Sequence, residues 1–220
     1  MRSLENQKKL DPIRKAYGDK LFEKIEFREA DLLDKDGLSK AIKGVQYIIH
    51  IANPVISTQK QSEEEMVKPA TEGMWSILEA AVENRVKKIV VTSSIATIIG
   101  NVWKSERGEY SYSEQDYAPY ESSDTYSKSK ISQEAVIRYF IEMQEKNSAT
   151  LDHKVEIVTL HPSAVFGPTF LNECGGSIEG IVKIMRRDVP GLPDMCLPCV
   201  DVRDVADAHI RALVTPGLHG

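Results

Sequence analysis

The sequence contains no run of roughly eighteen apolar residues, so no membrane-spanning helix is expected. The first ten residues are polar and have no apolar centre of the kind a secretory leader needs. Cysteine is scarce: Cys174, Cys196 and Cys199 form an odd, sparse set. A disulfide framework is therefore not expected, and a reducing compartment, the cytoplasm, is the expected location. Cys196-Leu197-Pro198-Cys199 has CxxC spacing, yet no second CxxC and no paired-histidine motif accompanies it. A structural zinc site needs four ligands, so no metal is expected, and the pair is read as small residues on a strand. Nor is there an excess of one charge sign. The net charge of −5 is made of interspersed acids and bases, which argues against nucleic acid or an anionic membrane as partner.

What is present is ordinary globular composition, 41% hydrophobic and 28% charged over 220 residues, enough to bury a core. Short apolar runs alternate with longer segments of helical period. Residues 24–29 (KIEFRE), 45–52 (VQYIIHIA), 88–92 (KIVVT) and 155–160 (VEIVTL) read as strands. A short helix is expected over 38–42 after Asp36. A long helix is expected over 63–85, with Met66, Ala70, Met74, Ile77, Leu78 and Ala81 along one side; Pro69 lies inside it and should kink it or remove a hydrogen bond. Residues 101–124 are turn-rich and read as a loop. Asp124 has the character of an N-cap for a helix reaching about Asn147, and a last helix covers 202–214, opened by Asp201 or Asp204. β-branched strands alternating with helices predict an α/β fold, a Rossmann-like doubly wound parallel sheet.

In such sheets ligands collect at the carboxyl ends of the strands. Those ends read Ile51-Ala52-Asn53-Pro54, Thr92-Ser93-Ser94 and His161-Pro162-Ser163, all small or polar. Strand ends are commonly polar for no functional reason, and a Tyr–Lys pair at YxxxK spacing is by itself usually a solvated helix face. The combination is more telling. Tyr126 and Lys130 are i and i+4 on the helix expected after Asp124, so they share a face. A free tyrosine titrates near about 10 and is a poor acid–base catalyst at neutral pH. An ammonium at about 4 Å favours the phenolate by ~4 kcal/mol at an effective dielectric of about 20. That is enough to bring Tyr126 towards a working range, with a strand-end hydroxyl, Ser94, placed to hydrogen-bond a carbonyl oxygen. Ser93 is the neighbour with which Ser94 is most easily confused.

Taken in order, these segments resemble the extended short-chain dehydrogenases/reductases, the NAD-dependent epimerase/dehydratase superfamily, and within it the dihydroflavonol reductase / cinnamoyl-CoA reductase group. The resemblance rests on Arg2, Ala30-Asp31-Leu32, residues 50–54 (HIANP), 68–73 (KPATEG), 91–94 (VTSS), 126–130 (YSKSK), 162–168 (PSAVFGP) and 200–209 (VDVRDVADAH). It implies a carbonyl-reducing, or alcohol-oxidising, enzyme with Ser94, Tyr126 and Lys130 as catalytic residues. Tyr126 would move the proton, Lys130 would hold the nicotinamide ribose and Ser94 would orient the substrate oxygen. It further implies cofactor contacts at Asp31 and Leu32 (adenine), Ile51, Ala52 and Asn53 (the trough), Pro162, Ser163, Ala164 and Val165 (nicotinamide) and Ser177 (phosphate). Arg2, assisted by Lys9, matches the basic position that receives an NADP 2′-phosphate, so NADP is the expected cofactor and NAD the alternative. Many relatives carry Thr or Ser at the place of Asn53.

One family feature is missing. No GxGxxG or GxxGxxG stands at a strand-to-helix junction, and the clustered Gly175, Gly176 and Gly180 follow Pro168 in mid-chain. That turn lets backbone approach the pyrophosphate, and the strand before it is central in the sheet. The chain is therefore expected to be a fragment of a longer reductase that binds NADPH weakly and exposes apolar surface at Ile48, Ile51 and Val90. The resemblance implies an incomplete dinucleotide-binding core over 1–167, a substrate-region loop and helix over 168–200, and a returning helix over 201–220. Its substrate would be a small carbonyl or alcohol compound. Tyr110, Tyr112, Tyr117 and Tyr120 are candidates to stack on an aromatic one, although such tyrosines more often cover a loop. Two other readings stay open: a nucleotide-sugar epimerase or dehydratase, and a non-catalytic dinucleotide-sensing or interaction protein.

Overall fold

The computed structural model describes residues 4–53, 62–100, 111–170, 176–191 and 197–218. The described chain forms two compact units, one from 31–161 with 209–220 and one from 1–30 with 162–208.

The first unit is built on three parallel strands in the order β1 (Tyr47–His50), β2 (Lys88–Thr92), β3 (Glu156–Leu160). Tyr47 pairs with Lys88 and Lys88 with Glu156, so the three carboxyl ends lie at one edge. Ile89, Val90 and Val91 are fully buried in succession. Successive strand residues point to opposite faces, so β2 is covered on both. Val90 was expected to be bare; it is not, because β2 is the central strand. β1 differs. Tyr47, Ile49 and Ile51 are exposed while His50 is buried, so one face of β1 is uncovered, and Ile51 carries the exposure expected of it at 67%.

Helix α3 (Lys35–Ala41) starts one turn earlier than its sequence suggests, because Asp34 rather than Asp36 caps it and accepts from the Gly37 N–H. Helix α4 (Glu63–Glu83) opens on a reciprocal capping box. The Glu65 N–H donates to Ser62 Oγ, and the Ser62 N–H donates to Glu65 Oε2. It runs unbroken through Pro69, and its buried side carries all six residues expected there. A Cβ on Gly73 would stand 3.0 Å from that of Leu32, so the glycine in KPATEG lets the Leu32 segment pack against α4. Short α5 (Ala96–Ile99) follows β2. Helix α6 (Thr125–Lys146) is capped by Asp124, which accepts from the Ser127 N–H. Helices α4 and α6 pack on each other, with Trp75 edge-on to Phe140 at 6.2 Å. Helix α8 (Val202–Val214) ends in this unit with His209 and Ala212 buried.

The second unit holds α1 (Gln7–Tyr17), α2 (Asp19–Phe22), α7 (Ser177–Arg186), the first residues of α8, and a separate parallel pair, β4 (Ala164–Phe166) with β5 (Cys199–Asp201). Residues 24–29 form no strand here. A strand needs a ladder partner, and among the described residues none runs beside this segment. Arg28 instead pairs locally with Glu26 at 2.6 Å.

Candidate functional site

The carboxyl end of β2 organises a buried polar cluster. Lys130, on the second turn of α6, is 4% exposed, and its Nζ donates to the Thr92 carbonyl at 3.0 Å and to Gln133 Oε1 at 3.4 Å. Burial lowers its pKa to about 8, partly offset by the Glu134 carboxylate, so the ammonium persists below that pH. An ammonium has three hydrogens, and these contacts use two. Tyr126 lies one turn earlier, half-buried, and its hydroxyl has no hydrogen-bond partner among the described residues.

The two adjacent serines separate cleanly. The Ser93 hydroxyl donates to Glu134 Oε1 and is committed. Among the described residues the Ser94 hydroxyl only accepts, from the Ala96 N–H at 3.2 Å, so its own hydrogen remains to be given. The Ser94 carbonyl accepts from the Thr97 N–H at 3.1 Å, which closes the turn into α5. Ser94 is the serine with a hydroxyl to offer.

Behind this turn stands Glu134, buried on α6. Its Oε1 accepts from Ser93, from Thr97 Oγ1 at 3.0 Å and from His161 Nε2 at 2.6 Å; its Oε2 faces Arg138 at 3.5 Å. Burial alone would raise this carboxyl. The hydrogen bonds from His161 and Ser93, with the charge of His161 and the bond from Thr97, outweigh it and leave the pKa below the usual carboxylate range. His50, at the end of β1, is buried beside Gln133 at 3.5 Å; burial and then the Lys130 charge push its pKa down to about 4, so it is neutral near pH 7. His209 on α8 meets the Thr92 hydroxyl at 2.6 Å. Glu134 was not singled out from the sequence, and His161, His50 and His209 entered only as members of a strand end or a motif, with no role of their own. Glu134 had one signal, its position four residues beyond Lys130 on the same helix face.

The remaining candidates fall in three places. Leu32 is half-buried under Gly73, while Asp31 is exposed, its Oδ1 accepting from the Leu33 N–H at 3.0 Å in a local turn. Ile51 and Ala52 are exposed, and Asn53 Oδ1, near the end of β1, is a buried acceptor without a hydrogen-bond partner among the described residues. These belong to the same unit as Ser94, Tyr126 and Lys130. Pro162, Ser163, Ala164 and Val165, all half-buried around the start of β4, belong to the other unit, as does exposed Ser177, the first residue of α7. Lys9 lies on α1 in that unit. Arg2 lies outside the described residues, as do Pro54, Cys174, Cys196 and Tyr110. Cys199 is a free, exposed thiol at the start of β5. No group of His, Cys, Asp or Glu among the described residues is arranged to hold a metal ion, and no described helix is long and apolar enough to cross a membrane. Two of the loop tyrosines are engaged with protein: Arg138 stacks over Tyr117 at 4.5 Å, and Tyr120 donates to Glu63 at 2.9 Å with Lys128 over its ring.

The chain is 28% identical to cinnamoyl-CoA reductase 1 of Arabidopsis thaliana over 94% of its own length and 57% of that protein's. It is 27% identical to anthocyanidin reductase of the same plant, over 96% of the chain and 63% of the relative. The chain thus spans a little over half the length of these curated relatives. Among solved structures, yeast methylglyoxal/isovaleraldehyde reductase Gre2 complexed with NADPH superposes with a TM-score of 0.73 at 26% identity, covering the whole chain and 67% of that protein. Vestitone reductase from alfalfa gives 0.64 at 26%, covering 90% of the chain and 59% of that protein. The fold is accordingly Rossmann-like. The sequence profile of the 3-beta hydroxysteroid dehydrogenase/isomerase family matches residues 5–215, and the chain belongs to that family.

Proposed function

We propose that this chain carries the catalytic side of an NADPH-dependent reductase that converts a small-molecule carbonyl to an alcohol, or the reverse. The observation that carries this reading is the Lys130 ammonium, buried and held on the Thr92 carbonyl one turn from Tyr126. When bound, the cofactor would supply the hydride that reaches the carbonyl carbon. Tyr126 gives its proton to the carbonyl oxygen, Ser94 donates a hydrogen bond to the same oxygen, and Lys130 stabilises the phenolate left behind. In the oxidative direction Tyr126 takes the proton back.

The residues present suit the nicotinamide and ribose end of such a cofactor. Lys130 has a hydrogen left for a ribose hydroxyl, and the buried Asn53 Oδ1 offers an acceptor for a donor group. Ile51 and Ala52 would line the same trough, and Asp31 and Leu32 would meet the adenine. Pro162, Ser163, Ala164 and Val165 keep the nicotinamide contact, and Ser177 the phosphate contact, that the family resemblance implies. We assign the cofactor role to residues 1–167, the substrate region to 168–200 and the returning helix to 201–220, in a cytoplasmic protein. Names of relatives support the substrate class: cinnamoyl-CoA, dihydroflavonol and methylglyoxal reductases all act on carbonyl compounds.

The test is carbonyl reduction followed by loss of NADPH absorbance. Tyr126→Phe should lower turnover by roughly 100-fold or more, the usual share of general acid catalysis. A Phe variant that keeps its turnover overturns the assignment. Cofactor choice is tested by fluorescence titration of NADPH and NADH. Arg2→Ala should weaken NADPH more than NADH by about 1.5–3 kcal/mol, the worth of a charge-assisted contact to phosphate. Equal losses would show that Arg2 does not read the 2′-phosphate.

A further inference from the structure

We propose that Glu134 is a positioning residue: through the one oxygen Oε1 it gathers Ser93, Thr97 and His161, and so fixes the turn that presents the Ser94 hydroxyl. This rests on the reading of Ser94 as the residue that meets the substrate oxygen.

Three other elements converge on that oxygen of α6. Ser93 follows β2, Thr97 is on α5, His161 follows β3 and Glu134 is on α6. The coupling to Ser94 is direct. Thr97 has one hydroxyl hydrogen, and it lies between the Ser94 carbonyl at 2.9 Å and Glu134 Oε1 at 3.0 Å. Ser93 is tied twice, by its N–H to the Leu160 carbonyl at 2.8 Å and by its hydroxyl to Glu134. Both neighbours of the Ser94 peptide segment are thereby referred to one carboxylate. The His161 ring must be the donor in its bond, because an ionised carboxylate only accepts.

The arrangement has a physical reason. A buried carboxylate is costly unless its lone pairs are satisfied, and charge-assisted bonds to it are shorter and stronger than neutral ones. An oxygen with three donors arriving from three other elements is therefore stiff. Stiffness matters for Ser94 because a hydrogen bond aimed at a developing oxyanion acts only if its direction is set beforehand. Glu134 does not itself reach the site. Its Oε1 is used by the three donors, and its Oε2 is directed to Arg138, which is half-exposed. Of the Ser93, Ser94 and Thr97 hydroxyls, that of Ser94 is the one that donates to no described residue.

The expected signature is local. Glu134→Gln in the full chain keeps the side-chain shape but removes the charge. Amide exchange at Ala96 and Thr97, whose N–H groups bond to Ser94, should accelerate at least about tenfold, while Ile137 on α6 and Val90 on β2 keep their protection. In the carbonyl reduction assay kcat should fall about tenfold with KM within about twofold, the pattern of an interaction made in the transition state. Ser93→Ala and Thr97→Val, which remove donors and leave the carboxylate in place, should each show the same pattern more weakly. Neither should add to Glu134→Gln, because all act through one oxygen. The proposal is overturned if exchange at Ala96 and Thr97 is unchanged, if it rises equally across β2 and α6, or if the substitutions add independently. Absence of reduction in unsubstituted protein that is shown by titration to be saturated with NADPH would defeat the reductase reading, while the exchange measurement would still decide whether Glu134 holds the turn.

Discussion

The two compact units differ in how their side chains are held. Every buried side chain among the described residues belongs to 31–161 or 209–220, including all of β2 from Lys88 to Val91 and the inner side of α4. In the other unit, α7 buries nothing, and β4 and β5 are at most half-buried. The contrast concerns precision. A buried hydroxyl or ammonium has its direction set by neighbours on several elements, whereas an exposed one takes its direction from whatever it binds. Ser94 and Lys130 are of the first kind and Ser177 of the second.

The contrast can be broken or sharpened by measurement. The largest effect is expected in the core. Leu78→Ala, at a fully buried position on α4, should cost about 2–5 kcal/mol in urea unfolding. The matching change on α7, Ile181→Ala at 43% exposure, should stay within about 0.5 kcal/mol. A comparable loss at both positions would mean that α7 is as firmly packed as α4.

Next comes a pH effect that belongs to the core alone. His50 titrates near 6.5 in the unfolded chain and near about 4 when folded. Between those values the unfolded state binds the extra proton, so stability falls as pH falls, by up to about 3 kcal/mol across the window. Lys130 acts with the same sign at the other end. Its pKa drops from 10.5 to about 8, so stability rises as pH climbs between them. Unfolding measured against pH should show the acid slope in the parent and a shallower one in His50→Gln; equal slopes would remove His50 as its source. The smallest core effect is expected at the start of α4. Ser62→Ala removes half of the capping box and should cost about 1 kcal/mol, readable as a lowered thermal midpoint.

Legibility in the sequence followed the same division. Strand β2 was readable to the residue because KIVVT is β-branched and buried on both faces. The buried side of α4 followed from its period, and Asp124 marked the start of α6. In the other unit β4 went unseen, and β5 was read only as a strand carrying Cys199, without its bounds or its partner. Three-residue strands that pair only with each other show no alternation to read. Helix α7 was expected only as an unplaced helix within 168–200, because Gly176 at its N-cap and Gly180 inside it obscure its bounds. Residues 24–29 carried a strand pattern, but a strand depends on a neighbour that the segment itself cannot specify. At the site, Tyr126, Lys130 and Ser94 were legible because two lie one turn apart and the third closes an apolar strand. The Glu134 cluster was not, since its donors lie 27 to 41 positions away and only the fold brings them together.

The nearer of the two acceptors for Lys130 is the main-chain oxygen of Thr92, at 3.0 Å against 3.4 Å for the Gln133 side chain. Residue 92 can therefore drift in identity without the lysine losing its anchor, provided the strand keeps its path. No pair of co-varying letters would record the contact. Distant copies of this site can thus retain a docked lysine after the sequence around its partner has become unrecognisable, and a search for such copies should weigh strand geometry above the amino acid at that position.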